Sequence, residues 1–301
     1  MDLELLRRPC PLCGSTDDSR VFAEAALEAG RLDEFAFSSR KAPEYMHYRL
    51  VSCPACDLLY ADPAPAPGTL LEAYRDASFE SSEESLFAAR TYGRLLPGII
   101  ARLPDLAGAV DVGAGDGAFL GELLERGFSG VVGLEPSAAP RAAAPEAVRA
   151  LLRPGLLSEQ DLKAGSLSLV TCFQVLEHAS DPLELCKKAY GLLKKGGALF
   201  LIGHDRRSFS ARLLGLKSPI FDVEHLQLFS KRSARQLLSK CGFADIEVKA
   251  VANRYPLHYW FKLFPLPMRL KRPGLSRLKA SRLGHWPLSL PAGNIAAIGY
   301  K

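Results

Sequence analysis

The stretch Ala109-Val110-Asp111-Val112-Gly113-Ala114-Gly115-Asp116-Gly117-Ala118-Phe119-Leu120 decides the fold. A short apolar run leads into three glycines at alternate positions, and an apolar helix follows from Phe119. Glycine lets the backbone turn tightly and lets a ligand approach closely, and the helix end offers N–H groups that the helix itself does not use. Strand, tight turn and helix N-terminus in that order form a nucleotide-binding site. The next strand, Gly130 to Leu134, is closed by Glu135, twenty residues after Gly115. A carboxylate at that place can accept both hydroxyls of a ribose.

Outward from the loop the chain alternates strands and helices. Helix is expected from Phe119 to Arg126, strand from Ser168 to Phe173, helix from Pro182 to Leu193, and strand from Ala198 to Ile202 after a turn at Lys195-Gly196-Gly197. A later helix over Ser233 to Lys240 stops at Gly242, and strands follow at Asp245 to Val251 and Asn294 to Gly299, with an irregular aromatic, basic stretch between them. Apolar strands alternating with helices indicate a parallel sheet covered on both faces. Upstream, residues 69 to 103 read as helical, with Leu70, Leu71 and Tyr74 as one apolar patch and Leu86, Phe87, Tyr92, Leu95, Leu96 and Ile99 as another. Pro97-Gly98 is a break or kink in the second helix.

The first sixty-six residues carry Cys10-Pro11-Leu12-Cys13 and Cys53-Pro54-Ala55-Cys56. Two residues between cysteines bring both sulfurs to one side of a turn, and two such turns supply the four thiolates of a structural tetrahedral zinc site. A redox pair is the rival, and iron is the competing metal. The spacing between the pairs is longer than in compact zinc ribbons, so an inserted loop or helix is expected near Ala23 to Ala29. Cys172, Cys186 and Cys241 sit in apolar or helical surroundings and are expected to be buried thiols without disulfides. Ala61-Asp62-Pro63-Ala64-Pro65-Ala66-Pro67-Gly68 reads as a stiff linker. The expected organisation is a zinc module over 1–66, a linker and helical cap over 67–104, and an α/β domain over 105–301.

The N-terminus lacks the basic and apolar regions of a signal peptide, and no apolar run is long enough to cross a bilayer, so a cytoplasmic address is expected. The net charge of +5 is unevenly spread: no Asp or Glu follows Glu247, while ten Lys and Arg do. Such a segment is either a solvated basic face or an attraction for something anionic. Residues 254–286 interleave Tyr255, His258, Tyr259, Trp260, Phe261 and Phe264 with these cations. They read first as a cap over an acceptor pocket and second as a peripheral membrane contact or a base-stacking surface.

The glycines alone also fit the dinucleotide fingerprint G-x-G-x-x-G/A, which keeps a nicotinamide enzyme open. The specific segments lie downstream. They are Gln174-Val175-Leu176-Glu177-His178-Ala179-Ser180-Asp181-Pro182, Leu192-Leu193-Lys194-Lys195-Gly196-Gly197, and Glu224-His225-Leu226-Gln227-Leu228-Phe229-Ser230. With D-V-G-A-G-D-G and the L-E-P after it, these resemble the class I S-adenosylmethionine-dependent methyltransferases over roughly 105 to 250. The resemblance implies a Rossmann-like seven-stranded mixed sheet whose last strand runs antiparallel. It implies that Asp111, Gly113, Gly115 and Gly117 line S-adenosylmethionine, that Glu135 holds its ribose, and that Gln174 lies beside the sulfonium. Members often carry an acid after the third strand, near the adenine; none is evident here between Leu151 and Ser158, which leaves Leu156 or Leu157 as adenine contacts.

Methyl transfer to oxygen or nitrogen also calls for a base, and histidine titrates near neutrality. His178, His204 and His225 sit where strand ends should converge, with His178 and His225 ranked first. Glu177 is read as orienting a histidine or holding a metal, with helix capping or a salt bridge as the alternative. The expected acceptor is a small molecule, anionic or lipid-linked, methylated on oxygen: a metabolite, a quinone or a glycan intermediate. A sugar C-methyltransferase is the nearer alternative. An RNA or protein methyltransferase gripping a polymer through the zinc module and the basic tail is the further one. The N/D-P-P-Y/F signature of many amino-directed enzymes is absent after the fourth strand, and no stable nucleic-acid complex is expected.

Overall fold

A computed structural model describes residues 4–16, 19–28, 45–75, 82–264, 266 and 268–301. The N-terminal part contains β1 (Leu5–Leu6), β2 (Arg20–Ala23), β3 (Leu50–Ser52), β4 (Leu59–Ala61) and β5 (Ala64–Pro65). Three helices follow: α1 (Pro67–Arg75), α2 (Ser82–Gly93) and α3 (Leu96–Ile100). Then come β6 (Ala107–Val112), α4 (Ala118–Glu125), β7 (Ser129–Leu134), α5 (Ala138–Ala143), α6 (Glu146–Arg149), β8 (Leu152–Arg153), β9 (Leu167–Phe173), α7 (Pro182–Leu192) and β10 (Leu193–His204). The chain closes with α8 (Phe209–Leu214), β11 (Gln227–Leu228), α9 (Lys231–Lys240), β12 (Ala244–Pro256), α10 (Leu257–Leu263), α11 (Met268–Lys279) and β13 (Pro287–Tyr300).

The main sheet has seven strands in the order β12-β13-β10-β9-β6-β7-β8. Its strands are parallel except β13, which runs antiparallel to both β10 and β12. This is the mixed sheet that the resemblance implied. Strand residues alternate between two buried layers. Val110, Val170, Leu199 and Leu201 join one core, while Ala109, Leu169, Phe200 and Ile202 join the other. Burial on both faces explains why these strands read as continuous apolar runs. Cys172 and Cys186 are fully buried and Cys241 nearly so.

Several expectations are corrected. The turn at Lys195-Gly197 lies inside β10, where a register shift between Leu193 and Ala198 absorbs it. Pro97 does not kink a helix: α2 ends at Gly93, and Pro97 sits in the first turn of α3, where its missing N–H costs nothing. Leu86 is exposed, whereas Tyr92, Leu96 and Ile99 are core. The side chains of Leu70, Leu71 and Tyr74 lie outside the described residues, although α1 spans their backbone. Among the described residues the stretch between the last two strands is not irregular, because β12 and β13 extend into a long hairpin carrying α10 and α11. Of the loop or helix expected near Ala23 to Ala29, Ala23 ends β2, Ala26 forms an isolated bridge with His47, residues 24–28 contain no helix, and Ala29 lies outside the described residues.

Residues 61–68 are tied down more firmly than a spacer. Ala61 and Ala64 are buried, and β5 pairs with β1. The N-terminal sheet has the order β11-β4-β3-β2, so its edge strand comes from beyond α8. Tyr48, Leu50, Leu59 and Ala61 share a core with Ile220, Phe221, Val223, Leu226 and Leu228. Polar ties reinforce the seam. Arg8 donates to the carbonyls of Ala61 and Leu226 at 2.8 Å each, Arg206 donates to Ser52 at 2.9 Å, and Arg207 pairs with Asp57.

Candidate cofactor site, acceptor pocket and metal centre

The glycine loop turns as its sequence requires. Gly113, Gly115 and Gly117 have φ of +71°, +57° and +77°, a region that costs other L-residues. A Cβ on Gly113 would lie 2.3 Å from Val175, whereas at Gly115 it would project into open space. The loop is locked to the end of β7. One oxygen of Glu135 accepts the Gly115 N–H at 2.9 Å, and the other accepts the Ser137 N–H at 2.8 Å. Burial raises the Glu135 carboxyl above its ordinary range, against these hydrogen bonds. Asp111, at the end of β6, accepts the Thr171 hydroxyl at 2.6 Å, and burial pushes its carboxyl up to about 7.

Gln174 follows β9 with φ of +56°, rare for a residue with a side chain. Its N–H donates to the Ile202 carbonyl at 2.8 Å. Its side-chain oxygen is buried without a hydrogen-bond partner. Asp111, Gly113, Gly115, Glu135, Gln174, Leu156 and Leu157 all line one cavity of about 1070 Å³. The open space at Gly115, the carboxylate of Glu135 and the orphaned oxygen of Gln174 fit a nucleoside-bearing ligand with a polar head. Gly117 stands apart from these: it caps α4, and a Cβ there would press on Val148 at 3.0 Å.

The same cavity contains His178, His204 and His225. The His225 ring lies 4.9 Å from that of His178 and 5.1 Å from that of His204, centroid to centroid. Each ring is oriented through Nδ1. His178 meets the Glu224 carbonyl at 2.9 Å, and His225 meets the Ile220 carbonyl at 2.8 Å. His204 meets the side-chain oxygen of Asn294 at 3.0 Å. A carbonyl oxygen only accepts, so Nδ1 of His178 and of His225 carries a proton, and Nε2 of His225 lies 3.8 Å from a Glu224 carboxylate oxygen. Burial holds His204 down to about 4, which keeps it neutral. Glu177 neither caps a helix nor touches a histidine ring. Its buried carboxylate accepts the backbone N–H of His204 at 2.6 Å, and burial pushes it up to about 7.

The sequence reading missed Asn253, Asn294 and Tyr92, which line the cavity together with Tyr255 and Tyr259 of the expected cap. Asn294 donates to Asn253 at 3.2 Å and to the Tyr92 hydroxyl at 3.5 Å. They come from α2, β12, β13 and α10, so no local spacing connects them with the histidines.

The four cysteines converge. Their sulfurs lie within 4.8 Å of one another, with Cys10 and Cys56 at 3.5 Å and Cys13 and Cys53 at 3.5 Å. A disulfide needs about 2 Å. A tetrahedral zinc with bonds of about 2.3 Å separates its sulfurs by about 3.8 Å, so the set fits that ion. Each knuckle is closed by a backbone bond, Gly14 to Cys10 at 2.8 Å and Asp57 to Cys53 at 2.9 Å. The module touches the site through β11. Gln227 donates its side-chain amide to the carbonyls of Leu176 and of Ala179, the latter at 2.7 Å, and the Leu226 N–H donates to the Glu177 carbonyl at 2.8 Å. These bonds brace the loop that carries His178.

Comparison with known proteins agrees with this geometry. Residues 85–248 match the model of a family described as a methyltransferase domain. A ubiquinone biosynthesis O-methyltransferase of Xanthomonas oryzae is 38% identical over 118 residues, 34% of this chain and 46% of that protein. Its namesake in Pseudomonas paraeruginosa is 35% identical over 114 residues, 35% of this chain and 49% of that protein. The chain thus spans about half the length of the curated relatives it matches. A candidate methyltransferase of an antibiotic-biosynthesis pathway in Anabaena variabilis superposes with a TM-score of 0.50 at 15% identity, covering 72% of this chain and all of that one, which is a likeness of fold. With more than half its length matching the family, on the sheet order and glycine loop described above, this chain belongs to the methyltransferase-domain family.

Proposed function

We propose that this protein transfers the methyl group of S-adenosylmethionine to an oxygen of a small, largely apolar acceptor, a phenolic or quinone-type metabolite. The observation that carries this reading is one cavity holding both the Glu135–Gly115 lock and three histidine rings. The naming of two partial relatives as ubiquinone biosynthesis O-methyltransferases supports the acceptor class.

Asp111, Gly113, Gly115, Glu135 and Gln174 hold the donor, which supplies a methyl group already activated as a sulfonium, while Gly117 sets the turn into α4. The remaining work is alignment, water exclusion and removal of a proton. Tyr255, Tyr259 and Trp260 wall the acceptor side and keep water from it. His178 or His225 takes the acceptor hydroxyl proton at Nε2, its ring held by the carbonyl on Nδ1. His204, held neutral by burial, lies alongside as a fixed polar wall. Zinc at Cys10, Cys13, Cys53 and Cys56 is structural, because four thiolates leave no position open for substrate. A cytoplasmic protein touching the membrane through 254–286, with an acceptor that is anionic or lipid-linked, completes the reading. Among the described residues no helix is long and apolar enough to cross a membrane.

The test is incubation with S-adenosylmethionine and a panel of catechols and hydroxyquinones, followed by mass spectrometry and NMR of the product. Gain of one methyl on oxygen is expected. Methylation solely at carbon or nitrogen, or solely of RNA or protein, would overturn the reading.

A further inference from the structure

α8 packs against β13, where a Cβ on Gly293 would meet Ser208 and Ser210, and both α8 and the excursion that carries α10 and α11 contribute residues to the cavity wall. Phe264 and Leu290 line the cavity and are themselves exposed. On α8, Ser210 and Leu214 line the cavity while their neighbours Phe209 and Leu213 stand in solvent, 80% and 69% exposed. Trp286, 66% exposed, lies beside the start of α10, where its carbonyl accepts the Leu257 N–H at 3.0 Å. Exposed apolar residues scattered singly need no explanation, but large ones on the two elements that wall the cavity mark a contact surface.

Charge identifies the partner. Arg269, Arg272, Arg277, Lys279 and Arg282 are exposed on or just after α11, and no acid follows Glu247 in the chain. Glu83 of α2 lies beside this excursion and is paired with His285 at 3.3 Å. A surface with Phe, Trp and Leu among arginines matches an anionic bilayer, whose headgroups take the cations and whose acyl boundary takes the rings.

We propose that α8 and the α10–α11 excursion form a collar that seats the cavity mouth on an anionic membrane surface, so that an acceptor with an apolar tail enters from the bilayer. The collar adds α8, which the sequence did not single out, and it rests on reading the cavity as an acceptor site. The full chain is sedimented with phosphatidylcholine vesicles with and without phosphatidylglycerol. Phe209→Ser/Leu213→Ser and Arg269→Glu/Arg272→Glu variants are run beside it, and each protein is titrated with S-adenosylhomocysteine. Partition onto the anionic vesicles is expected to exceed that onto the zwitterionic ones roughly tenfold or more, and each variant to lose about as much at unchanged S-adenosylhomocysteine affinity. Equal partition onto both vesicles, or variants that partition like the wild type, would overturn the collar. Vesicle binding without S-adenosylhomocysteine binding supports the collar and counts against methyl transfer. The reverse pattern removes the collar alone.

Discussion

Glu135 accepts the backbone N–H of Gly115 at 2.9 Å, so the carboxylate that ends β7 holds the middle of the glycine loop in place. The loop is therefore held by a hydrogen bond from the chain itself. Gly115 has φ of +57° and open space where a side chain would project. Alanine there fills ligand space and costs about 1 kcal/mol of backbone strain. Gly115→Ala is expected to weaken S-adenosylhomocysteine binding about tenfold or more, read by calorimetry, while thermal unfolding moves by only a few degrees.

The cysteine cluster makes a separate prediction. Cys10→Ser and Cys53→Ser variants should each lose bound zinc by atomic emission and show a clear fall in Tm. Because β11 joins this module to the His178 loop, methyl transfer should fall with it. Full zinc content in either variant would contradict the four-sulfur assignment.

Much of this was legible in the sequence, and the limits are physical. The glycine loop, Glu135 and the order of strands were readable because each is a local pattern. The dependence of the N-terminal module on β11 was not, since Gln227 and Leu228 are apart from β4 in the chain and pair with it only in space. Asn294 and Asn253 were invisible for the same reason: each is an ordinary strand residue until the hairpin brings it beside His204. The helices of the basic excursion escaped notice because α11 contains Pro273 and α10 is only seven residues long.

Stability should depend on pH through Glu177. Burial lifts its carboxyl to about 7, whereas in the unfolded chain it ionises near pH 4.3 (approximately). Between those values the folded state holds the proton and the unfolded state does not, so stability present at low pH is lost as pH rises towards 7. The contribution is about 3 kcal/mol in order of magnitude. Asp111, also lifted to about 7, acts in the same direction. Glu177→Gln should flatten the decline in Tm between mildly acidic and mildly alkaline buffer. A variant with the wild-type pH slope would contradict this.

The histidines can be separated kinetically. Replacing the base by alanine should lower kcat about 10²- to 10⁴-fold and remove the acidic limb of the pH–rate profile, with S-adenosylhomocysteine affinity retained. His178→Ala and His225→Ala are the two candidates. His204→Ala is expected to alter KM more than kcat, because burial already keeps that ring neutral.

The central claim is that the glycine loop and Glu135 hold S-adenosylmethionine and not a nicotinamide dinucleotide. Calorimetric titration with S-adenosylhomocysteine and, separately, with NADH addresses it most directly, on the wild type and on Asp111→Ala and Glu135→Ala. Micromolar binding of S-adenosylhomocysteine, none of NADH, and weakening in both variants is the predicted result. Binding of NADH, or no binding of either ligand by folded protein, would contradict the account.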